Sequence, residues 1–235
     1  MPLRPAAAGS KIADRLNRVA AVVGARSYLE IGVATGRTFM AVEIATRHAV
    51  DPAFRFDPAP LETPHVRFFA MTSDRFFTEA VPPDQRYDII FLDGLHTFEQ
   101  TFRDFCASQA HAHAGTVWVI DDVLPSDIFS ALPVQEEALA LRKQHGLRGG
   151  LWHGDVYKCV FAINDFFPSF SFRTLRRAHG NPQTFVVRRP RPGFRPVFGD
   201  LERISRMSFS DLRQHRRVLR LDSEDAIVAW LAPGA

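Results

Sequence analysis

The chain has 235 residues, 46% hydrophobic and 23% charged, with a formal net charge of +3. That length and apolar share allow one α/β domain with an appendage and argue against a disordered chain. No apolar run approaches the roughly 18 residues of a membrane span, and the N-terminus has no apolar stretch after its first charge, so neither a transmembrane helix nor a signal peptide is expected.

Ile12, Leu16, Val19 and Val23 share one helical face across residues 10–24, and Gly24 can end that helix. Residues 28–32 (YLEIG) read as a buried strand broken at Gly32 and Gly36, and a helix is expected from Thr38 to Arg47. A second strand ends at Val50-Asp51, residues 66–70 form a third, and 74–80 a helix. Residues 87–92 (YDIIFL) form a fourth strand that stops at Asp93. A helix over 97–111 leads to a fifth strand, 116–120 (TVWVI), which stops at Asp121-Asp122. Near-continuous apolar strands alternating with helices predict a Rossmann-like, doubly wound and mostly parallel α/β sheet.

Beyond residue 132 the pattern changes. Residues 136–145 read as helix, and 155–163 (DVYKCVFAI) fit helix or strand equally. Residues 170–175 and 184–188 read as an antiparallel edge hairpin. The Pro-rich stretch 188–196 (RRPRPGFRP) reads as a linker, which divides the chain into a main domain, 1–190, and a small C-terminal helical appendage, 191–235. Short helices are expected over 201–221 and 226–231. Cys106 and Cys159 are the only cysteines, fit a reducing, cytoplasmic setting, and read as small buried apolar residues. Residues 171–220 carry thirteen arginines against three acids, either a solvated face or a surface for an acidic partner such as nucleic acid.

In a doubly wound sheet, ligands bind beyond the carboxyl ends of the strands. Glu30, Asp51, Asp93 and the pair Asp121-Asp122 all fall on that one edge. Glu30-Ile31-Gly32-Val33-Ala34-Thr35-Gly36 follows a strand, and its glycines let backbone approach a ligand closely. The spacing is neither Gly-x-Gly-x-x-Gly nor a Walker A loop. Asp51 ends the next strand, where an acid can accept hydrogen bonds from both hydroxyls of a ribose, or can merely serve the turn before Pro52.

Over residues 10–165 the chain resembles the class I S-adenosylmethionine (SAM)-dependent methyltransferases. The resemblance is closest to a bacterial subgroup with an Asp-Gly-Leu-His-Thr-Tyr/Phe-Glu motif, present here as Asp93–Glu99. It implies that Glu30, Gly32 and Gly36 wrap the methionine part of SAM, that Asp51 holds the ribose, that Ser73 and Asp74 border the adenine, and that Asp93 bounds the same pocket.

Asp93, Asp121 and Asp122 end adjacent strands and would repel one another. A hard divalent cation such as Mg²⁺ resolves that repulsion; alternatively Asp93 only bounds the cofactor pocket and Asp121-Asp122 cap a turn. The pattern is similar to catechol O-methyltransferase and the caffeoyl-CoA enzymes, except that Asp122 stands where those have Asn. His96 occupies the place of their catalytic Lys and suits proton removal from a hydroxyl, metal ligation, or capping of the next helix. Trp152, Asp155 and Lys158, in Trp152–Lys158, could border the acceptor or simply pack under a loop. The expected activity is methylation of a small hydroxylated acceptor, a sugar or natural product. The alternatives are a nucleic-acid methyltransferase using the arginine-rich segment, or a SAM-binding protein without turnover; association of copies is left open.

Overall fold

The computed structural model describes residues 10–149, 152–176 and 181–232. The N-terminal residues read above for a signal peptide and part of the arginine-rich segment lie outside the described residues. The chain begins with α1 (Lys11–Val23), capped by the Ser10 hydroxyl, and ends it at Gly24. Then come β1 (Ser27–Ile31), α2 (Arg37–Ala41), β2 (Thr46–Val50), β3 (Val66–Phe69) and α3 (Ser73–Arg75), which continues as a π turn to Ala80. β4 (Tyr87–Leu92), α4 (Phe98–Ser108), β5 (Ala112–Ile120), α5 (Gln135–Gln144) and α6 (Tyr157–Phe166) follow. The last elements are β6 (Ser171–Leu175), β7 (Thr184–Val187), α7 (Leu201–Ser205), α8 (Phe209–Gln214), β8 (Leu221–Asp222) and α9 (Glu224–Leu231).

The eight strands form one sheet in the order β3-β2-β1-β4-β5-β7-β6-β8. β1 to β5 are mutually parallel, and β7 is antiparallel to both β5 and β6. This is a Rossmann-like, mostly parallel sheet with antiparallel strands toward one edge. The chain leaves β1 toward β2 and β3 on one side and toward β4 and β5 on the other, so the switch point lies between β1 and β4.

Strand alternation divides the core. Leu29, Ile31, Ile90, Leu92, Trp118 and Ile120 face α4 and α6, while Tyr28, Ile89, Phe91, Val117 and Val119 face α1, α2 and α9. The undecided stretch 155–163 is helix α6, buried on every side from Tyr157 to Asp165. A helix that is apolar all round needs no amphipathic period, which is why its pattern was ambiguous.

The helix expected from Thr38 to Arg47 ends at Ala41. Val42 turns extended, and Thr46 pairs with Ser27 to start β2. Tertiary partners reward the early stop: Arg47 donates to Phe39 O, and Asn17 donates to Ala41 O at 3.0 Å. Among the cysteines, Cys159 is buried as expected, whereas Cys106 is exposed.

The Pro-rich stretch is tied to α6. Arg191 donates to Phe170 O, Ile163 O, Phe167 O and both carbonyl oxygens of Asn164. Asp165 accepts the backbone N–H groups of Val197, Phe198 and Gly199 at 2.7–3.0 Å. Within the arginine-rich segment, Arg173 pairs with Asp222, Arg188 lies over Trp118 and Phe170, and Arg189 over Trp230, while most of its described arginines are exposed. No described helix is long and apolar enough to cross a membrane.

Asp165→Ala strands three backbone donors and is expected to cost about 2–4 kcal/mol of stability. Urea denaturation measures it, and a loss within the scatter of surface substitutions would show that the stretch 197–199 is held by other contacts.

Candidate active site

Five strand-end features meet at the carboxyl edge. Gly32 follows β1 at φ 86°, and an added Cβ would fall on the carbonyl of Asp93, which follows β4. Only glycine lets the two chains cross this closely. Gly36 opens α2 at φ 75°. A cavity of about 600 Å³ opens here, lined by Lys11, Glu30, Gly32, Thr38, Asp51, Asp93, His96 and Asn181 among others. That is an ordinary size for a small-molecule site.

Glu30 sits in the cavity floor, accepting a hydrogen bond from the Tyr28 hydroxyl at 2.6 Å. Burial pushes its carboxyl well above the usual range. Asp51 braces the loop. Its Oδ2 accepts from Val33 N–H and Ala34 N–H, and its Oδ1 from Ala53 N–H, at 2.8–2.9 Å. A carboxylate offers about four lone-pair sites, so one remains, on Oδ1. The expectation of two ribose hydroxyls on this acid therefore reduces to room for one.

The acidic cluster lies between β4 and β5. His96 Nε2 is 3.3 Å from Asp93 Oδ1, and its Nδ1 is 3.0 Å from Asp122 Oδ2. Asp93, His96 and Asp122 each present an atom within 4.8 Å of the others, a spacing that one metal ion can bridge. The expected set of Asp93, Asp121 and Asp122 thus changes: His96 enters the group and Asp121 stands behind it. Asp121 accepts from the Asp122 N–H through Oδ1 at 2.8 Å. Asp121 Oδ2, Asp122 Oδ2 and His96 Nδ1 are buried without completed hydrogen bonds, although the last two form a close ion pair. Buried polar atoms left in this state are costly, and a cation among them is the simplest remedy.

Backbone strain marks the same place. Ala34, His96 and Asp122 are left-handed at φ 46°, 57° and 59°. Non-glycine residues held there cost energy and cluster at functional sites. Burial raises Asp93 to about 6, against the lowering effect of His96 and with the help of Asp122. Burial alone would lower His96, but Asp122 and Asp93 more than offset it and hold the imidazole protonated up to about 11.

His96 is framed from behind. Its ring stacks on Trp152 at 4.8 Å, and Trp152 Nε1 donates to Leu132 O at 2.7 Å. Gly154, at φ 63°, leaves room for the His96 carbonyl, which a Cβ would strike. Asp155 and Lys158 are not brought to the cavity. Asp155 accepts from Phe98 N–H at the start of α4 and pairs with Lys158, which also donates to Ser205 O on α7. They tie helices together. Ser73 and Asp74 accept from Gln100 on α4 and are not among the residues lining the cavity.

Sequence reading missed Asn181 and Gln183. Asn181 donates to Asp122 Oδ1 at 2.6 Å, and Gln183 to Asp121 Oδ1 at 3.3 Å. No local motif announces either, because the contacts arise only when β7 pairs with β5.

Residues 29–123 match a family described as a methyltransferase domain. The match runs from β1 to just past β5 and holds every strand-end acid named above. Among solved structures, the O-methyltransferase from Bacillus cereus in complex with SAH is 17% identical, with 79% of this chain and 84% of that chain covered and a TM-score of 0.50. The plantazolicin methyltransferase BpumL in complex with SAH is 13% identical, with 77% and 86% covered and a TM-score of 0.51. No curated protein matches the chain. The solved neighbours share the Rossmann-like fold, and the methyltransferase-domain match covers the part of the sheet that carries the strand-end acids.

Because the fold raises His96 from 6.5 to about 11, its charged form contributes stability that is complete below 6.5 and fades as pH rises through 11. In EDTA, the advantage of wild type over His96→Gln in urea midpoint is expected to shrink between about pH 7 and 11. A constant difference would mean that His96 is already neutral at pH 7.

Proposed function

We propose that the chain is a SAM-dependent methyltransferase that methylates a hydroxyl of a small acceptor, a sugar or natural product, beside a divalent cation such as Mg²⁺. The observation that carries the reading is that Gly32 and two members of the Asp93–His96–Asp122 cluster, Asp93 and His96, line one cavity. The neighbours that were solved with SAH support the choice of cofactor.

The residues fit both groups. The crossing of the chain at Gly32 and Asp93 sets both beside a cavity of about 600 Å³, room enough for a nucleoside. Asp93 and Asp122 offer the oxygen donors that Mg²⁺ or Mn²⁺ takes, with the His96 imidazole beside them. When bound, SAM supplies an electrophilic methyl on a sulfonium, and the cation lowers the pKa of the acceptor hydroxyl.

The chain's own residues do the rest. Gly32 and Gly36 shape the loop around the methionine part, Glu30 lies beneath it, and Asp51 offers its free lone pair to one ribose hydroxyl. Ser73 and Asp74 keep their proposed place near the adenine through the loop that follows β3. Asp93 and Asp122 hold the cation and orient the acceptor, which turns an encounter into a positioned attack. His96 takes the hydroxyl proton. Among unbalanced carboxylates it is held as imidazolium and cannot accept one, so cation binding and loss of that proton are linked. Trp152 walls the acceptor side.

A nucleic-acid acceptor is the second reading: Arg173, Arg189 and Arg191 are engaged within the chain, which removes them from such a surface, while other arginines of the segment stay exposed.

Gly32→Ala is expected to abolish SAH binding in calorimetry, and retained affinity would remove the loop from the cofactor site. With SAM, Mg²⁺ and a panel of sugars and phenols, SAH release is expected to stop on adding EDTA, and a rate indifferent to EDTA would end the cation proposal. His96→Ala should slow turnover roughly 10²–10⁴-fold while sparing SAH affinity; an unaltered rate would exclude it as the base.

A further inference from the structure

β5 and β7 run antiparallel, with Ile120 opposite Thr184. Extending that register by one residue sets Asp121 opposite Gln183. Two carboxamides on the stretch leading into β7 each claim one oxygen of the consecutive aspartates. Asn181 Nδ2 donates to Asp122 Oδ1 at 2.6 Å, and Gln183 Nε2 donates to Asp121 Oδ1 at 3.3 Å. In each case the second oxygen, Oδ2, is buried without a completed hydrogen bond, that of Asp122 lying 3.0 Å from His96 Nδ1.

The Gln183 amide cannot turn over. Its Oε1 receives the Arg15 guanidinium, and arginine can only donate. The nitrogen is therefore left for Asp121. Arg15 is buried and fixed in turn by Glu224 of α9 at 2.9 Å. Asn181 is oriented by the same logic, because an ionised carboxylate only accepts.

We infer that Asn181 and Gln183 are positioning residues of the cation site. Resting on the cation reading above, Asn181 takes one oxygen of Asp122 and leaves the other to the cluster, and Gln183 holds Asp121 in place directly behind it. They soften the repulsion among three carboxylates with neutral donors and add no charge that would compete with the cation. Through Arg15 and Glu224, the C-terminal helix becomes part of the support of a site built on β4 and β5. Such outer partners of metal ligands commonly govern affinity.

The test is Mn²⁺ calorimetry on the full chain without SAM, for wild type, Asn181→Leu, Gln183→Met and Asp122→Asn, with SAH affinity and melting temperature measured in parallel. Both carboxamide variants are near-isosteric. Each is expected to weaken Mn²⁺ about 10–100-fold while leaving SAH affinity unchanged. A merely structural role would move both ligands and the melting temperature together, and that result overturns the inference. Wild-type affinity in both variants overturns it and leaves the cation reading standing. If wild type binds no Mn²⁺, or Asp122→Asn binds it equally well, the cation reading falls and the inference with it. Should Gln183→Met melt too low to titrate, Asn181→Leu decides.

Discussion

Three carboxylates at the ends of β4 and β5 face a single histidine, and that imbalance of charge organises the site. Asp121 and Asp122 are 2% and 1% exposed, so water cannot disperse their charge. Left alone, the cluster answers by taking up protons: Asp93 and Asp121 are raised and His96 is held charged. A fold selected for stability alone would replace such a group with apolar side chains. Its retention, on backbone strained at both His96 and Asp122, is understandable if a cation completes it.

The surrounding structure serves that constraint. Gly32 lets β1 and β4 deliver their loops to one point, and Asp51 spends three lone pairs holding the loop between them. Trp152 and Gly154 fix His96 from the side opposite the sheet. Asp155, the neighbour of Gly154, caps α4, so one short turn orients the histidine and anchors the helix that follows it.

What could be read from sequence follows the range of the interactions. β4 was legible to the residue, because YDIIFL is apolar on both faces and bounded by polar residues. The glycine loop and the strand-end acids were legible because their spacing is local. The extent of α2 was not, since Arg47 and Asn17 end it from outside. Asp155 and Lys158 resembled pocket residues because polar groups beside Trp152 carry no sign of direction, and the fold turns them toward α4 and α7. Asn181 and Gln183 lay furthest out of reach: their partners are 59 and 62 residues away.

The arginine-rich segment reads from sequence either as a solvated face or as a surface for an acidic partner. Most of its described arginines are exposed. In the fold, several of them do work that lysine could not. The planar guanidinium of Arg191 reaches five acceptors around the end of α6, and those of Arg188, Arg189 and Arg220 lie over aromatic rings. The last carbonyls of α6 have no partner within the helix, and arginine supplies several donors to them from one side chain. The same economy brings Arg15 to Gln183 and Glu224, where one guanidinium joins the N-terminal helix, the start of β7 and the C-terminal helix behind the acidic cluster. Part of the segment's charge thus fastens residues beyond β7 to α6 and the sheet, and the rest lies at the surface.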